Sequence, residues 1–186
     1  MDNRSGAAGI IAAEAAAKAR PDGYTMLYGH TGIFAIHPHV YRKLPYDPVK
    51  DFIAVTRVAV VSAIVLVNPS VSAKNLNELI DLAKAKPGQL AYGSAGIGSP
   101  QHVTGELFKT LTGVDILHVP YKGSAPVISD LIGGQISIGF DYAVPAAAQV
   151  QAGKLRALTI AGRKRIPMLP DVPTANADFN FQCPEN

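Results

Sequence analysis

The sequence predicts an α/β fold with a mostly parallel sheet and helices on both of its faces. Three observations point there. Short β-branched or apolar runs alternate with helix-period segments across residues 62–161. Three of the candidate helices open on a capping serine, at Ser72, Ser99 and Ser124, and close on glycine or proline. Polar or glycine-rich turns follow the candidate strands at Thr31, Ser94–Ser99, Tyr121–Ser124 and Asp141. Open α/β sheets bind their ligands beyond such strand ends.

Taken in order, residues 6–20 are alanine-rich and helical, and Pro21, Asp22 and Gly23 stop them. Residues 24–28 form a short β-run, and Gly29 to Gly32 a glycine-containing turn. Residues 33–37 start a short helix that Pro38 ends or bends, and residues 41–48 are irregular. The β-branched runs 52–58 and 62–67 are strands, the second closed by Asn68 and Pro69. Ser72 caps a helix with Leu76, Leu79, Ile80 and Ala83 on one face. A strand over residues 90–92 then enters the sequence Gly93-Ser94-Ala95-Gly96-Ile97-Gly98-Ser99-Pro100. Ser99 is an N-cap, Pro100 occupies the first helical position, and Gly113 is the C-cap. Val103, Leu107, Phe108 and Leu111 recur near the helical period between them. Residues 115–119 are a strand, and Ser124 caps a helix to Ile132. Residues 135–140 are a strand with Asp141 just past its end, 143–152 a helix, 155–160 a strand, and 163–174 an extended loop.

The chain has 186 residues, 48% hydrophobic and 17% charged, which describes a globular protein with a core. Its net charge of +3 is not concentrated, apart from Arg163-Lys164-Arg165, which is a solvated loop. Without interleaved aromatics or a basic stripe, nucleic-acid binding is not expected. Cys183 stands alone, so neither an internal disulfide nor a cysteine metal cluster is expected. His30, His37 and His39 do not have the spacing of a metal motif, and no cofactor is implied. No apolar run reaches membrane-spanning length, and no signal-peptide h-region precedes Gly6.

The loop before Pro100 delivers backbone N–H groups onto a helix N-terminus, an arrangement that binds anions. It is neither a P-loop, since no Gly-Lys-Ser/Thr follows, nor a dinucleotide fingerprint. Taken alone, such a turn is more often a plain strand-to-helix connection. A hydrolase is the competing class: Ser94 or Ser99 with His102 and Asp141 has the composition of a triad. The central position of Gly96-Ile97-Gly98 holds isoleucine, however, not the serine of a nucleophile elbow.

Several segments together are similar to one family. They are residues 91–99 with His102 and Gly105-Glu106-Leu107-Phe108, then His118-Val119-Pro120-Tyr121-Lys122-Gly123-Ser124-Ala125-Pro126, and Asp130 to Gln135. Phe140-Asp141, residues 152–158 and Leu169-Pro170-Asp171-Val172-Pro173-Thr174 follow in order. Upstream, Asn3-Arg4, Gly6-Ala7-Ala8-Gly9, Pro21-Asp22-Gly23-Tyr24 and Leu44-Pro45-Tyr46-Asp47-Pro48 also fit. The chain resembles the Bug family of tripartite tricarboxylate transporter receptors over residues 2–174.

The resemblance implies a type II periplasmic-binding-protein fold. Two lobes close over a small carboxylate and deliver it to membrane permease subunits. Lobe one would comprise residues 1–65 and 160–186, and lobe two residues 66–159. Family ligand loops map onto Thr31 and Gly32 in lobe one. In lobe two they map onto Ser94, Ala95, Gly96, Ile97, Gly98 and Ser99, with His102, Tyr121, Lys122, Gly123, Ser124 and Asp141 around them. Within that set, His102 either faces ligand or caps and packs, and Asp141 either receives donors or caps the helix near Ala143. Lys122 fits a solvated turn better than a ligand cation, and Tyr121 packs its ring at the cleft edge. The resemblance also implies a periplasmic location. The family pattern has a first strand before Asn3 and closing elements after Thr174. The expectation is therefore a truncated chain, whole in lobe two and partial in lobe one, that binds weakly and associates with its own copies through unpaired strand edges.

Overall fold

The computed structural model describes residues 2–162 and 164–175. One mixed sheet of five strands organises most of them. In chain order these are β1 (Ala63–Val67), β2 (Ala91–Ser94), β3 (Leu117–Pro120), β4 (Ile138–Tyr142) and β5 (Arg156–Ala161), arranged in space as β3-β2-β4-β1-β5. β2 pairs in parallel with β3 and β4, while β1 runs antiparallel to both β4 and β5. Four strands therefore point one way and β1 opposes them. The expectation of a mostly parallel sheet holds with this one reversal. The sheet also takes in residues 63–65 and 160–161, on either side of the 66–159 span expected for the second lobe.

Helices cover both faces. On one face, α3 (Leu76–Ala85) packs Leu76, Leu79, Ile80 and Ala83 against Val65, Val67, Tyr92, Ile138 and Phe140, and Phe108 of α4 (Pro100–Thr112) joins them. On the other, α5 (Ser124–Ile132) and α6 (Ala143–Gln151) pack Val127, Leu131, Ala143, Ala146 and Ala147 against Ile64, Leu66 and Ile160. This is the pleat at work, since successive residues of β1 face opposite sides and each finds an apolar partner.

Several local expectations shift. The first of these helices begins at Asn75, not Ser72. Asn75 Oδ1 accepts from the Glu78 amide at 2.9 Å, and Glu78 Oε2 accepts from the Lys74 amide at 2.7 Å. This reciprocal box satisfies two orphan donors at once, which a lone serine three residues earlier does not. Ser124 is the first residue of its helix; Gly123, at φ 129°, takes the cap position without a side-chain bond. Asp141 lies within β4 and not beyond it. Val103, Leu107 and Leu111 of α4 face solvent, and the face turned to the sheet carries Gln101, Gly105 and Phe108. Gly105 is required there, because a Cβ would collide with the Tyr92 ring.

Residues 2–61 fold differently. A short turn at Ala7–Gly9 leads into α1 (Ile10–Ala17). A wide turn over Gly32–Ile36 leads into α2 (His37–Val40), with Pro38 in its first turn. Ala13, Ile33 and Tyr46 form a small core with Ile10, Leu27, Leu44 and Phe52. The expected strands at 24–28 and 52–58 do not form. Leu27 and Phe52 pack inward, but Tyr24 is 92% and Ile53 93% exposed, and neither segment has a strand partner among the described residues. A strand needs a ladder to satisfy its backbone, and period-two sequence alone does not supply one. Arg163, Cys183 and the rest of the chain after residue 175 lie outside the described residues. Among the described residues no helix is long and apolar enough to cross a membrane.

Candidate functional site

A cleft of about 520 Å³ lies where residues 2–61 meet the sheet. One wall is built from the first segment: Arg4, Ser5, Gly6, Ala8 and Gly9, then Tyr28 to Thr31, with Ala59 and Val61. The other wall comes from the segments after β2 and β3, Ala95, Ser99, Pro100 and Gln101, then Lys122, Gly123 and Ser124, and from Tyr142 at the end of β4. Of the sequence-predicted residues, Thr31, Ala95, Ser99, Lys122, Gly123 and Ser124 line this space.

The second wall presents a helix start. Ser99 Oγ accepts from the His102 amide at 3.2 Å, closing the N-cap of α4, and Pro100 contributes no donor. The Ala95 and Gln101 amides have no acceptor among the described residues. Those free donors, with the positive end of a 13-residue helix, favour an anion. The charged side chains on the walls are Arg4 and Lys122, both cationic. Behind the wall, Asp141 is buried; its Oδ1 accepts from the Tyr142 amide at 2.8 Å and from Gln101 Nε2 at 3.4 Å. Burial pushes its carboxyl above the usual carboxylate range, against the opposing pull of those two hydrogen bonds. Gln101 Nε2 also donates to Ser124 Oγ at 3.2 Å. Asp141 therefore neither caps α6 nor lines the cleft: it orients Gln101, which does line it.

The remaining predicted residues sit behind the cleft surface. Within the Ser94–Ser99 loop, the Gly96 amide donates to Ser94 Oγ at 3.2 Å, the Gly98 amide to His102 Nδ1 at 3.3 Å, and the Ser99 amide to the Gly96 carbonyl at 3.1 Å. The expectation that N–H groups all along this loop hold a ligand is corrected accordingly, because the loop spends those three on its own shape. The glycines make room for protein: a Cβ on Gly98 would stand 3.0 Å from Tyr41 Cε2, and one on Gly96 3.3 Å from the Tyr121 carbonyl. Ile97 offers its carbonyl to Tyr41 Oη at 2.7 Å. Gly32 is buried against His30 and Pro100. Tyr121 Oη donates to Asp130 at 2.7 Å, and burial together with that carboxylate pushes its phenol up to about 12.

His102 packs and does not face the cleft. Its ring lies 4.3 Å from that of His118, which stacks on Tyr92 at 4.8 Å. Ser94 is fully buried, with Oγ 2.7 Å from His118 Nε2. Ser94 and His102 thus both meet His118, while Asp141 is engaged by Gln101 and the Tyr142 amide, and Ser99 Oγ is held by the cap. Among the described residues no cluster of three or more His, Cys, Asp or Glu side chains could hold a metal.

Sequence reasoning missed Gln101, Arg4 and Tyr142. Arg4 and Gly6–Gly9 did carry a signal, a glycine pair at a helix start like that of the second wall. Here the backbone is left-handed at Gly6, Ala7, Ala8 and Gly9 in succession, at φ 123°, 46°, 50° and 95°. Gln101 and Tyr142 are single polar side chains without periodicity, and nothing local marks them.

A family profile described as the tripartite tricarboxylate transporter family receptor matches residues 1–182. Three solved structures are similar. The Rhodopseudomonas palustris protein Rpa4515, solved with adipate, is 41% identical at a TM-score of 0.91, over 95% of this chain and 59% of that one. The periplasmic binding protein BugD is 31% identical at 0.85, over 97% and 60%. MatC from Rhodopseudomonas palustris, with bound malate, is 34% identical at 0.83, over 92% and 58%. The chain spans about half the length of the curated relatives it matches, 52% and 54% for two of them.

Proposed function

Because the chain belongs to the tripartite tricarboxylate transporter receptor family, we propose that its cleft captures a small organic carboxylate in the periplasm for delivery to membrane permease subunits. The two walls are the facing surfaces of two lobes. The observation that carries this reading is the second wall: a capped N-terminus of α4 with free Ala95 and Gln101 amides, and Arg4 and Lys122 as the charged liners. A carboxylate satisfies those donors and the field they sit in. Relatives solved with adipate and malate support the ligand class. The members are receptors, and Asp141, held by Gln101 and the Tyr142 amide, orients no histidine beside Ser94 or Ser99 as a hydrolase triad would need.

Calorimetry with adipate and malate, set against their dimethyl esters, tests the reading. Heat of binding from the acids and none from the esters is expected; equal responses, or none, would reject it. The exposed faces of residues 24–28 and 53–61 favour a second reading, in which copies of this chain pair through them. Light scattering across a concentration series measures that directly.

A further inference from the structure

Few polar contacts join the two walls. Among the described residues a single hydrogen bond links residues 2–61 to the rest: Tyr41 Oη donates to the Ile97 carbonyl at 2.7 Å. Among the same residues no ion pair crosses. The bond sits in a fitted notch. The Tyr41 ring lies over Gly98, where φ is +77° and a Cβ would stand 3.0 Å from Tyr41 Cε2 and 3.2 Å from His37 Cδ2. His37 braces Tyr41 edge-on at 5.4 Å and is itself buried, with Nδ1 3.0 Å from Tyr46 Oη, which donates to the Ile33 carbonyl at 2.9 Å. A chain of contacts therefore runs from the small core of the first segment to the loop before α4.

Ile97 lies in the loop that leads to the cap of α4. Ser99 is the N-cap, and the amide of Gln101, the second helical residue, is one of the orphan donors of that helix start and opens on the cleft wall. We propose that Tyr41 is a positioning residue for the anion site. Its hydroxyl ties the two walls together through Ile97 and so fixes where the loop before α4, with the Ala95 and Gln101 amides, stands against the other wall. The proposal rests on the carboxylate reading above for what the site holds. Tyr41 does not line the cleft, so it acts without touching ligand.

Tyr41→Phe removes the bond and keeps the ring. In the 186-residue chain it should weaken adipate binding about three- to tenfold, as expected for one partly exposed hydrogen bond. Nitroxide labels at Arg20→Cys and Lys154→Cys, in a Cys183→Ser background, report the spacing of the two walls. The variant should lengthen or broaden that spacing without ligand, while its melting temperature stays close to that of the parent. A residue with only a structural role would lower the melting temperature and leave the spacing unchanged. If Tyr41→Phe does not fold, Gly98→Ala wedges the ring off its seat and should give the same change in spacing. Parental spacing with parental adipate affinity in Tyr41→Phe would overturn the proposal. If the parent binds no carboxylate, the functional reading fails, and the label distance alone then decides whether the tie exists.

Discussion

The residues before Ser62 and those after it are two ways of using the same kinds of residue. From Ala63 to Ala161, every β-branched run finds a ladder, and each face of the sheet meets two helices. Before Ser62, runs of similar composition stay extended and unpaired, with Tyr24, Met26, Tyr28, Ile53, Val55, Val58 and Val60 largely in solvent. The difference is not in propensity. It lies in whether a partner backbone is present to satisfy N–H and C=O groups and to turn apolar side chains inward. The cleft sits on the seam, with one wall from each region.

The largest effects should separate the regions by stability. Leu79 is fully buried between α3 and the sheet. Leu79→Ala should cost about 3 kcal/mol, combining lost transfer energy with a cavity. Ile53→Ser, at a nearly fully exposed site, should change unfolding by no more than about 0.5 kcal/mol. It should also raise the monomer fraction if copies pair through that segment. Urea unfolding of the two variants and light scattering of the second check both. A large loss of stability at Ile53 would show that the unpaired segment packs against something.

The same contrast sets what was legible. The five strands of the sheet could be read because short β-branched or apolar runs bounded by turn residues were there to see, and Ser99, Pro100 and Gly113 start and stop α4 as their chemistry dictates. Strand direction could not be read: nothing local in residues 63–67 says that β1 opposes its neighbours. The helix stripe Val103–Leu107–Leu111 was visible, but a stripe does not say which side packs. Gly105, by admitting the Tyr92 ring, decides that. For the site, Ser99 and the turn at Lys122–Ser124 followed from strand-end logic. Gly96, Gly98 and His102 are glycine and histidine used for packing, which composition cannot distinguish from ligand contact.

A smaller effect should appear with pH, and again on the sheet side of the seam. His118 is held at about 4 by burial first and by neighbouring His102 next. Its folded value lies below the ordinary 6.5, so the unfolded chain takes up its proton first as pH falls. The associated stability is present above about pH 6.5 and is lost as pH drops toward 4. Glu106, in reach of the pair, opposes part of this, and Lys109 adds to it. Allowing for solvent around a partly exposed ring, about 1–2 kcal/mol is involved. His118→Gln should flatten the dependence of unfolding free energy on pH between 6.5 and 4. An unchanged slope would place the titrating group elsewhere.

The smallest effect concerns the seam itself, where each region contributes one cation. Arg4 comes from the first segment and Lys122 from the turn after β3, and both side chains are in contact with solvent. Exposed charges are screened over about 8 Å at physiological salt, so neither should contribute more than two- to threefold to the affinity for a dicarboxylate. What distinguishes them is salt. If both cations attract the ligand, Arg4→Gln and Lys122→Gln should each lower adipate affinity at 20 mM salt, and the loss should shrink at 500 mM. The double variant should bind with little salt dependence. Should Lys122→Gln alone leave the salt dependence intact while Arg4→Gln removes it, Lys122 is a solvated turn residue after all. The electrostatics of the cleft would then belong to the first segment, and the sheet side would recognise the carboxylate through the backbone alone.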